Sequence, residues 1–230
     1  MLSLPDHPPN QLPSIPQSCK FTAPGKVPVP DRIQPIRQTL IAELHAVAAD
    51  HDLRLEPGDD DDELLLSHHD LTLPWLSDFV ETGLKRAARG FSADLIGGAN
   101  VTRLDRTITH GHPRLPYRKA LRIIGSRGWR LSLGDELPLD AQASLVRFCG
   151  LLPVQIMYLP GQPGPHGISG PRQGLSYVLP WAGEAIDCEA PLTGEKGPSI
   201  CRFRIDRMLQ FILGLDDVTV VRSAALSGSA

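Results

Sequence analysis

The chain has 230 residues, 23 basic and 26 acidic side chains and a formal net charge of -3, which suits one domain with an ordinary core and gives no global attraction to nucleic acid. No apolar run approaches the ~18 residues of a membrane helix and the N-terminus lacks a basic-then-apolar signal pattern, so a soluble, cytoplasmic protein is expected. The four cysteines, Cys19, Cys149, Cys188 and Cys201, stand far apart, without C-x-x-C or zinc-type spacing, and read as reduced core thiols.

Residues 1–30 are rich in proline, from Pro5 to Pro30, and poor in large apolar side chains, so they are expected to form an extended arm or a disordered leader ahead of a single domain over 31–230. Ile33, Ile36, Leu40, Ile41, Leu44 and Val47 then make one apolar stripe. It predicts a helix over 32–49, capped by Asp31, with Pro35 in the first turn. Asp59 to Glu63 form a dense acidic run, followed by His68, His69 and Asp70. Metal ligation by these groups is one reading, although no ligand set of defined geometry can be drawn; an exposed loop, with Asp70 capping the next helix, is the other. Trp75, Leu76, Phe79, Val80, Leu84 and Ala87 predict an amphipathic helix ended at Gly90.

Downstream, Val101 to Arg106 and Pro113 to Pro116 lead into a helix opened by Tyr117, with Ala120, Leu121 and Ile124 on its inner face. A turn at Leu133 to Leu137, a helix over 140–149 and strands over 154–160 and 174–179 follow, and then the segment Pro180 to Glu189. Near the end Cys201, Phe203 and Ile205 alternate with Arg202, Arg204 and Asp206, as in a half-buried strand. Met208, Leu209, Phe211, Ile212 and Leu215 next recur at helical spacing, and Gly214 suits a left-handed cap.

This closing strand and helix resembles motif 3 of the class II aminoacyl-tRNA synthetases, in the asparaginyl and aspartyl branch that includes the related asparagine synthetases. The shared features are the acid-arginine pair Asp206-Arg207 opening a helix and the exit from Gly214 to Val218. The Tyr117 helix, the Leu133 to Leu137 turn, the helix over 140–149 and the strand from Val154 follow in the order of that branch. Pro180, Gly183, Glu184 and Ile186 are similar to its Pro-Gly-x-Gly-Glu-Ile pattern, whose glutamate orders magnesium. The helix over 32–49 is similar to that of motif 1, which builds the family's dimer interface. The implied fold is α/β, of α+β type: an antiparallel sheet flanked by helices.

The departures from the family fall at its chemistry. The three alternate glycines that floor its ATP site fall on Ile200, Arg202 and Arg204, and glycine serves where backbone must closely approach a ligand. Asp187, Cys188 and Glu189 replace its Gly-Gly-Ser. The Lys-x-Phe-Tyr-Met strand that recognises substrate is replaced by Gly161 to Ser169. The motif 2 hairpin, whose Arg-x-Glu arginine holds the α-phosphate, is not recognised, because the interval from Pro57 to Asp70 is short and acidic. No anticodon-binding barrel is expected ahead of the core.

The resemblance leaves Glu184 and Arg207 as catalytic candidates, Glu184 as the magnesium candidate, and Arg202, Arg204, Arg207, Asp135 and Glu184 as the ligand-binding set. The expected function is a remodelled pocket for a small anionic or amino-acid-derived, aminoacyl or nucleotide ligand, in a homodimer formed through helix 32–49, with tRNA charging lost. The alternative is an inactive paralogue acting as a dimerisation or regulatory partner. Residual ATP-dependent amino-acid activation, with Mg and ATP as cofactors, is the third reading. No G-x-S-x-G elbow, P-loop or H-E-x-x-H motif is present, and a Cys188, Glu184 and His166 nucleophile set competes with a plain core thiol.

Overall fold

The computed structural model describes residues 29–91, 96–160, 172–192, 195–215, 219 and 221. The proline-rich arm up to residue 28, the segment 161–171 with His166, and the exit at 216–218 lie outside the described residues. Helices α1 (Val29–Ala49), α2 (Leu73–Arg89), α3 (Gly98–Thr109), α4 (Tyr117–Gly125), α5 (Leu139–Phe148) and α6 (Ile205–Leu213) accompany seven strands. These are β1 (Leu55–Pro57), β2 (Glu63–His68), β3 (Arg114–Pro116), β4 (Val154–Tyr158), β5 (Arg172–Leu179), β6 (Gly183–Pro191) and β7 (Ser199–Arg204). They form one sheet in the order β1-β2-β7-β6-β5-β4-β3. Every neighbouring pair is antiparallel except β3 with β4.

Alternation along the strands divides the sheet into two differently covered faces. Leu55, Leu66, Cys201, Cys188 and Leu175 form one row across it. They join the main core with Ile33, Ile36, Leu40 and Leu44 of α1, Leu76, Phe79 and Val80 of α2 and Met208 to Ile212 of α6. On the opposite face Leu115, Ile156, Tyr158 and Val178 pack with Tyr117, Ala120 and Ile124 of α4 and Ala141 and Leu145 of α5. This second core covers the β3-β4-β5 end. Arg202, Arg204, Asp187 and Glu184, all half-buried, occupy the same face further along.

Several boundaries differ from the sequence expectations, each for a local reason. Helix α1 begins at Val29, so Asp31 lies inside it and does not cap it, and Pro35 is internal. Its apolar stripe is spent on the chain's own core: Ile33, Ile36 and Leu40 are fully buried. Thr72, and not Asp70, caps α2, its hydroxyl accepting from the Trp75 N–H at 3.4 Å. The acidic run is the turn of a β1-β2 hairpin, closed by the Gly58 N–H donating to the Glu63 carbonyl at 2.9 Å. Residues 101–106 belong to helix α3. Gly214 does take the left-handed conformation, at φ 66°, and ends α6.

The expectation of reduced thiols is overturned for two cysteines. Cys188 and Cys201 are direct cross-strand partners in β6 and β7 and form a disulfide. The pairing joins residues 13 apart in sequence, brought together by hairpin register and not by any spacing motif. Cys149 is a free, half-buried thiol whose pKa burial pushes up. No helix among the described residues is long and apolar enough to cross a membrane.

Candidate functional site

The β6-β7 ladder supplies the central geometry. Asp187 is the register partner of Arg202, Cys188 of Cys201 and Glu189 of Ile200. The acidic replacement Asp187 on β6 and the basic replacement Arg202 on β7, which look unrelated in sequence, therefore sit opposite one another. Arg202 Nη1 donates to Asp187 Oδ2 at 3.0 Å. Arg204 Nη2 lies 3.5 Å from Asp187 Oδ1 and 3.8 Å from Glu184 Oε1. Burial is the largest influence on Asp187 and pushes its carboxyl pKa up; the Arg202 hydrogen bond opposes this and the neighbouring Glu184 charge adds to it.

Strict strand alternation would send Glu184 and Asp187, three residues apart, to opposite faces. A register shift between Tyr177 and Val178 prevents this: Tyr177 pairs with Ile186 while Val178 pairs with Glu184, leaving Ala185 as the extra residue. Such a bulge re-aims a side chain, and here it places both carboxylates beside Arg204. Gly183, at φ 74°, starts the strand in a conformation that L side chains rarely adopt, and a Cβ there would come within 2.6 Å of Leu139 Cδ1.

Arg204 stands between two cavities. The first, of about 100 Å³, is lined by Glu136, Leu137, Gln142, Ile156, Tyr158, Val178, Glu184 and Arg204. Burial keeps the Tyr158 hydroxyl protonated, pushing its pKa well above the ordinary tyrosine value. The second, of about 240 Å³, lies between the hairpin turn and the β7-α6 junction and is lined by Asp60, Asp62, Glu63, Asp206, Arg204 and Arg207. Its walls thus bring four carboxylates against two guanidinium groups. The Asp62 carbonyl accepts from the Ile205 N–H at 2.8 Å, and Arg37 reaches Asp62 Oδ1 at 3.0 Å, so the hairpin turn is tied to this junction.

The expected ligand-binding residues divide accordingly. Arg202, Arg204 and Glu184 converge on one ladder. Arg207, at the start of α6, faces the second cavity and reaches the Ala182 carbonyl and Gln210 Oε1, each at 3.4 Å. Asp135 does not join them: its Oδ2 accepts from the Ser132 N–H at 2.8 Å and its carbonyl accepts from the Tyr117 hydroxyl, while Glu136 beside it lines the first cavity. Gln142 and Tyr158 line the same cavity and were not singled out by the sequence reading. An Arg-x-Glu triplet, Arg54-Leu55-Glu56, does occur at β1; Arg54 is exposed and immediately precedes the strand.

The magnesium candidate, Glu184, stands beside a cation in this structure. Among the described residues no three His, Cys, Asp or Glu side chains group as a metal site. Glu184 faces the Arg204 guanidinium, against which a divalent ion would have to compete.

No protein-family model matches the chain, and no curated protein matches it. Solved structures do. Asparaginyl-tRNA synthetase from Pyrococcus horikoshii, complexed with asparaginyl-adenylate, is similar with a TM-score of 0.59 at 13% identity, over 84% of this chain and 67% of that one. The Entamoeba histolytica asparaginyl-tRNA synthetase gives 0.62 at 9% identity, over 84% and 66%. The aspartyl enzyme from Entamoeba histolytica gives 0.61 at 9%, over 83% and 57%. The chain therefore spans about two-thirds or less of the length of these enzymes, and the likeness is one of fold. The chain has the fold of the catalytic core of the class II asparaginyl and aspartyl synthetases.

Proposed function

We propose that this chain is a synthetase-like domain whose open sheet face binds a small amino-acid-derived ligand, and that it neither activates that ligand with ATP nor charges tRNA. The observation that carries this reading is the register pairing of Asp187 with Arg202, together with Arg204, which lies near both Asp187 and Glu184. An asparaginyl-adenylate is bound by the Pyrococcus relative. Here bulky, ion-paired guanidinium groups replace the glycines that the resemblance places beneath such a nucleotide, and glycine is what permits close approach.

Electrostatics points the same way. A triphosphate entering the second cavity would meet Asp60, Asp62, Glu63 and Asp206 as well as Arg204 and Arg207. Catalysis of phosphoryl or adenylyl chemistry depends on preorganised positive charge, and each missing donor costs roughly a hundredfold or more. The first cavity, in contrast, combines apolar walls from Leu137, Ile156 and Val178 with the polar side chains of Glu136, Gln142, Glu184 and Arg204, and so offers a small ligand both kinds of contact.

The test pairs two measurements on purified protein. Amino-acid-dependent ATP-pyrophosphate exchange is expected to stay at background for all twenty amino acids with magnesium present. Thermal-shift screening of amino acids, their amines and aminoacyl-sulfamoyl analogues is expected to give binders whose effect disappears in Arg204→Ala. Robust exchange with aspartate or asparagine would refute the loss of activation.

A second reading, an inert partner-binding paralogue, draws on the exposed apolar residues Leu139, Phe148 and Leu151 in and just beyond α5. The α1 stripe lends it no support, since that stripe is buried within the chain. Sedimentation that shows a stable dimer broken by Phe148→Ser, together with an empty thermal-shift screen, would favour it.

A further inference from the structure

We infer that the outer side of the α4-α5 layer is a docking face for an anionic lipid surface; this goes beyond the ligand reading above and does not depend on it. Helix α4 turns Tyr117, Ala120 and Ile124 into the second core, which leaves Arg118, Lys119 and Arg122 exposed on its other side. Arg127 and Arg130 follow in the connection to α5, and Arg147 lies in the last turn of that helix; all three are exposed. Against these six cations the stretch 117–151 holds three acids, Asp135, Glu136 and Asp140, in a chain whose net charge is -3. Among the described residues none of the six cations is ion-paired.

The end of α5 gathers part of this charge around apolar side chains. The Arg127 guanidinium lies 5.3 Å from the centroid of the Phe148 ring. Burial raises the pKa of the adjacent Cys149 thiol and the Lys119 and Arg127 charges oppose it, which places both cations near this helix end. Cations favour a helix C-terminus in any case, but here the Gly150 carbonyl accepts from Arg106 of α3, at 2.9 Å. Lys119, Arg127 and Arg147 are therefore left facing solvent. Among them stand Phe148, 54% exposed, and Leu151, 39% exposed. Leu151 follows the helix end, its N–H donating to the Val146 carbonyl at 2.9 Å.

Charge, shape and chemistry choose the partner. Cations set around apolar side chains match an anionic bilayer, whose headgroups meet the basic groups while Phe148 and Leu151 enter the acyl boundary. Nucleic acid fits less well: bases stack on open aromatic faces, and the Phe148 ring already carries Arg127. A peptide docks in a groove, and neither cavity described above is lined by any of these residues. The fold also separates charge along the sheet. Helices α4 and α5 cover the β3-β4-β5 end, whereas the exposed acids Asp59, Asp60 and Asp61 lie in the β1-β2 turn at the opposite edge. An anionic surface attracts the first end and repels the second, which orients the molecule.

Flotation of the full chain with vesicles of phosphatidylcholine alone, and with about 30% phosphatidylserine added, tests the inference. Partition onto the anionic vesicles is expected to be about tenfold or more higher than onto the neutral ones, and to fall as salt rises. Lys119→Gln and Arg127→Gln are each expected to weaken it about fivefold, and Phe148→Ser about tenfold, with circular dichroism reporting that each variant is folded. If Arg127→Gln or Phe148→Ser fails to fold, the exposed Arg147→Gln serves, with a loss of about fivefold. Equal partition onto the two kinds of vesicle, background included, would overturn the inference, and so would anionic-vesicle binding that none of these variants weakens. Capture of a single-stranded RNA oligonucleotide or of polyglutamate, lost in the same variants and without partition onto either vesicle, would also overturn it and give the patch to another polyanion. None of these outcomes bears on the ligand reading, which its own thermal-shift screen decides.

Discussion

Asp187 and Arg202 are register partners in adjacent antiparallel strands, and their side chains meet at 3.0 Å. Each is a departure from the family pattern that the sequence resembles, and each makes sense only through the other. A guanidinium placed alone on the sheet would be poorly solvated, and a buried carboxylate alone would be worse. The pair is partly exposed on the arginine side, at 37%, and well buried on the acid side, at 17%. Its worth therefore falls between a surface bridge and a buried one.

Asp187→Ala is accordingly expected to destabilise the protein by about 1–3 kcal/mol in urea unfolding. Adding Arg202→Ala should recover part of that loss, because the stranded cation is then gone. A double-mutant cycle should show a coupling of about 0.5–2 kcal/mol. Additive effects would mean that the two side chains do not interact.

A different arginine holds the end of α6. Arg103, from α3, donates to the carbonyls of Phe211 and Ile212, the latter at 2.8 Å, and Asn100 donates to the Leu213 carbonyl at 2.8 Å. Its guanidinium also lies over Trp181 and Phe211, 4.9 and 5.2 Å from the ring centroids. Helix C-termini leave carbonyls unsatisfied and attract cations. Burial lowers the Arg103 pKa to about 10, so the group remains charged at neutral pH. Arg103→Met keeps much of the volume and removes the donors; a loss of about 2–4 kcal/mol is expected in chemical denaturation. Arg103→Lys should rescue less than half of it, because one ammonium cannot match the planar fork.

How much of this was legible in the sequence depended on whether the signal was local. The β7-α6 unit was, because alternation from Cys201 to Ile205 and helical spacing from Met208 are both properties of a few neighbouring residues. Gly214 announced the stop. The β1-β2 hairpin was not recognised: β1 has only three residues, and an acidic turn looked like an interruption when it was the connection. The Asp187-Arg202 pairing was hidden because register is not written in either strand. One available signal was charge complementarity across the connection 192–198, acids before it and arginines after it. Gln142 could not have been found from local pattern, since it reaches the first cavity only through the packing of α5 near Gly183.

The cysteine pair gives a direct chemical test. Alkylation of unfolded, non-reduced protein followed by peptide mapping is expected to find Cys188 joined to Cys201 and Cys149 as a free thiol. Closing a loop of this size is worth about 2–3 kcal/mol in the chain-entropy account, so reduction should lower the urea midpoint. The Cys188→Ala/Cys201→Ala variant should show the same midpoint with and without reductant. Free thiol at both positions in freshly prepared, oxidised protein would refute the pairing.

The last expectation concerns acid. His112 is 4% exposed and lies between the Tyr177 hydroxyl, which meets Nδ1, and the Thr107 carbonyl, 2.9 Å from Nε2. The arrangement suits a neutral ring that donates from Nε2 and accepts at Nδ1. Burial is the chief cause holding the imidazole below its ordinary pKa of 6.5, with the Thr107 carbonyl and the Glu81 charge pulling the other way. In the unfolded chain the histidine takes up a proton near the ordinary value, whereas the folded one resists until lower pH. Between those two values the unfolded state binds more protons, so stability rises with pH there and is lost as pH falls from about 6.5 toward the folded pKa. Melting temperatures measured from pH 7.5 to pH 5 should therefore decline more steeply for the wild type than for His112→Gln, which keeps a donor and an acceptor but does not titrate. The variant itself should cost about 1–2 kcal/mol at pH 7.5, where the lost contact with Tyr177 is uncompensated. Parallel curves for the two proteins across this range would show that His112 does not link folding to protonation.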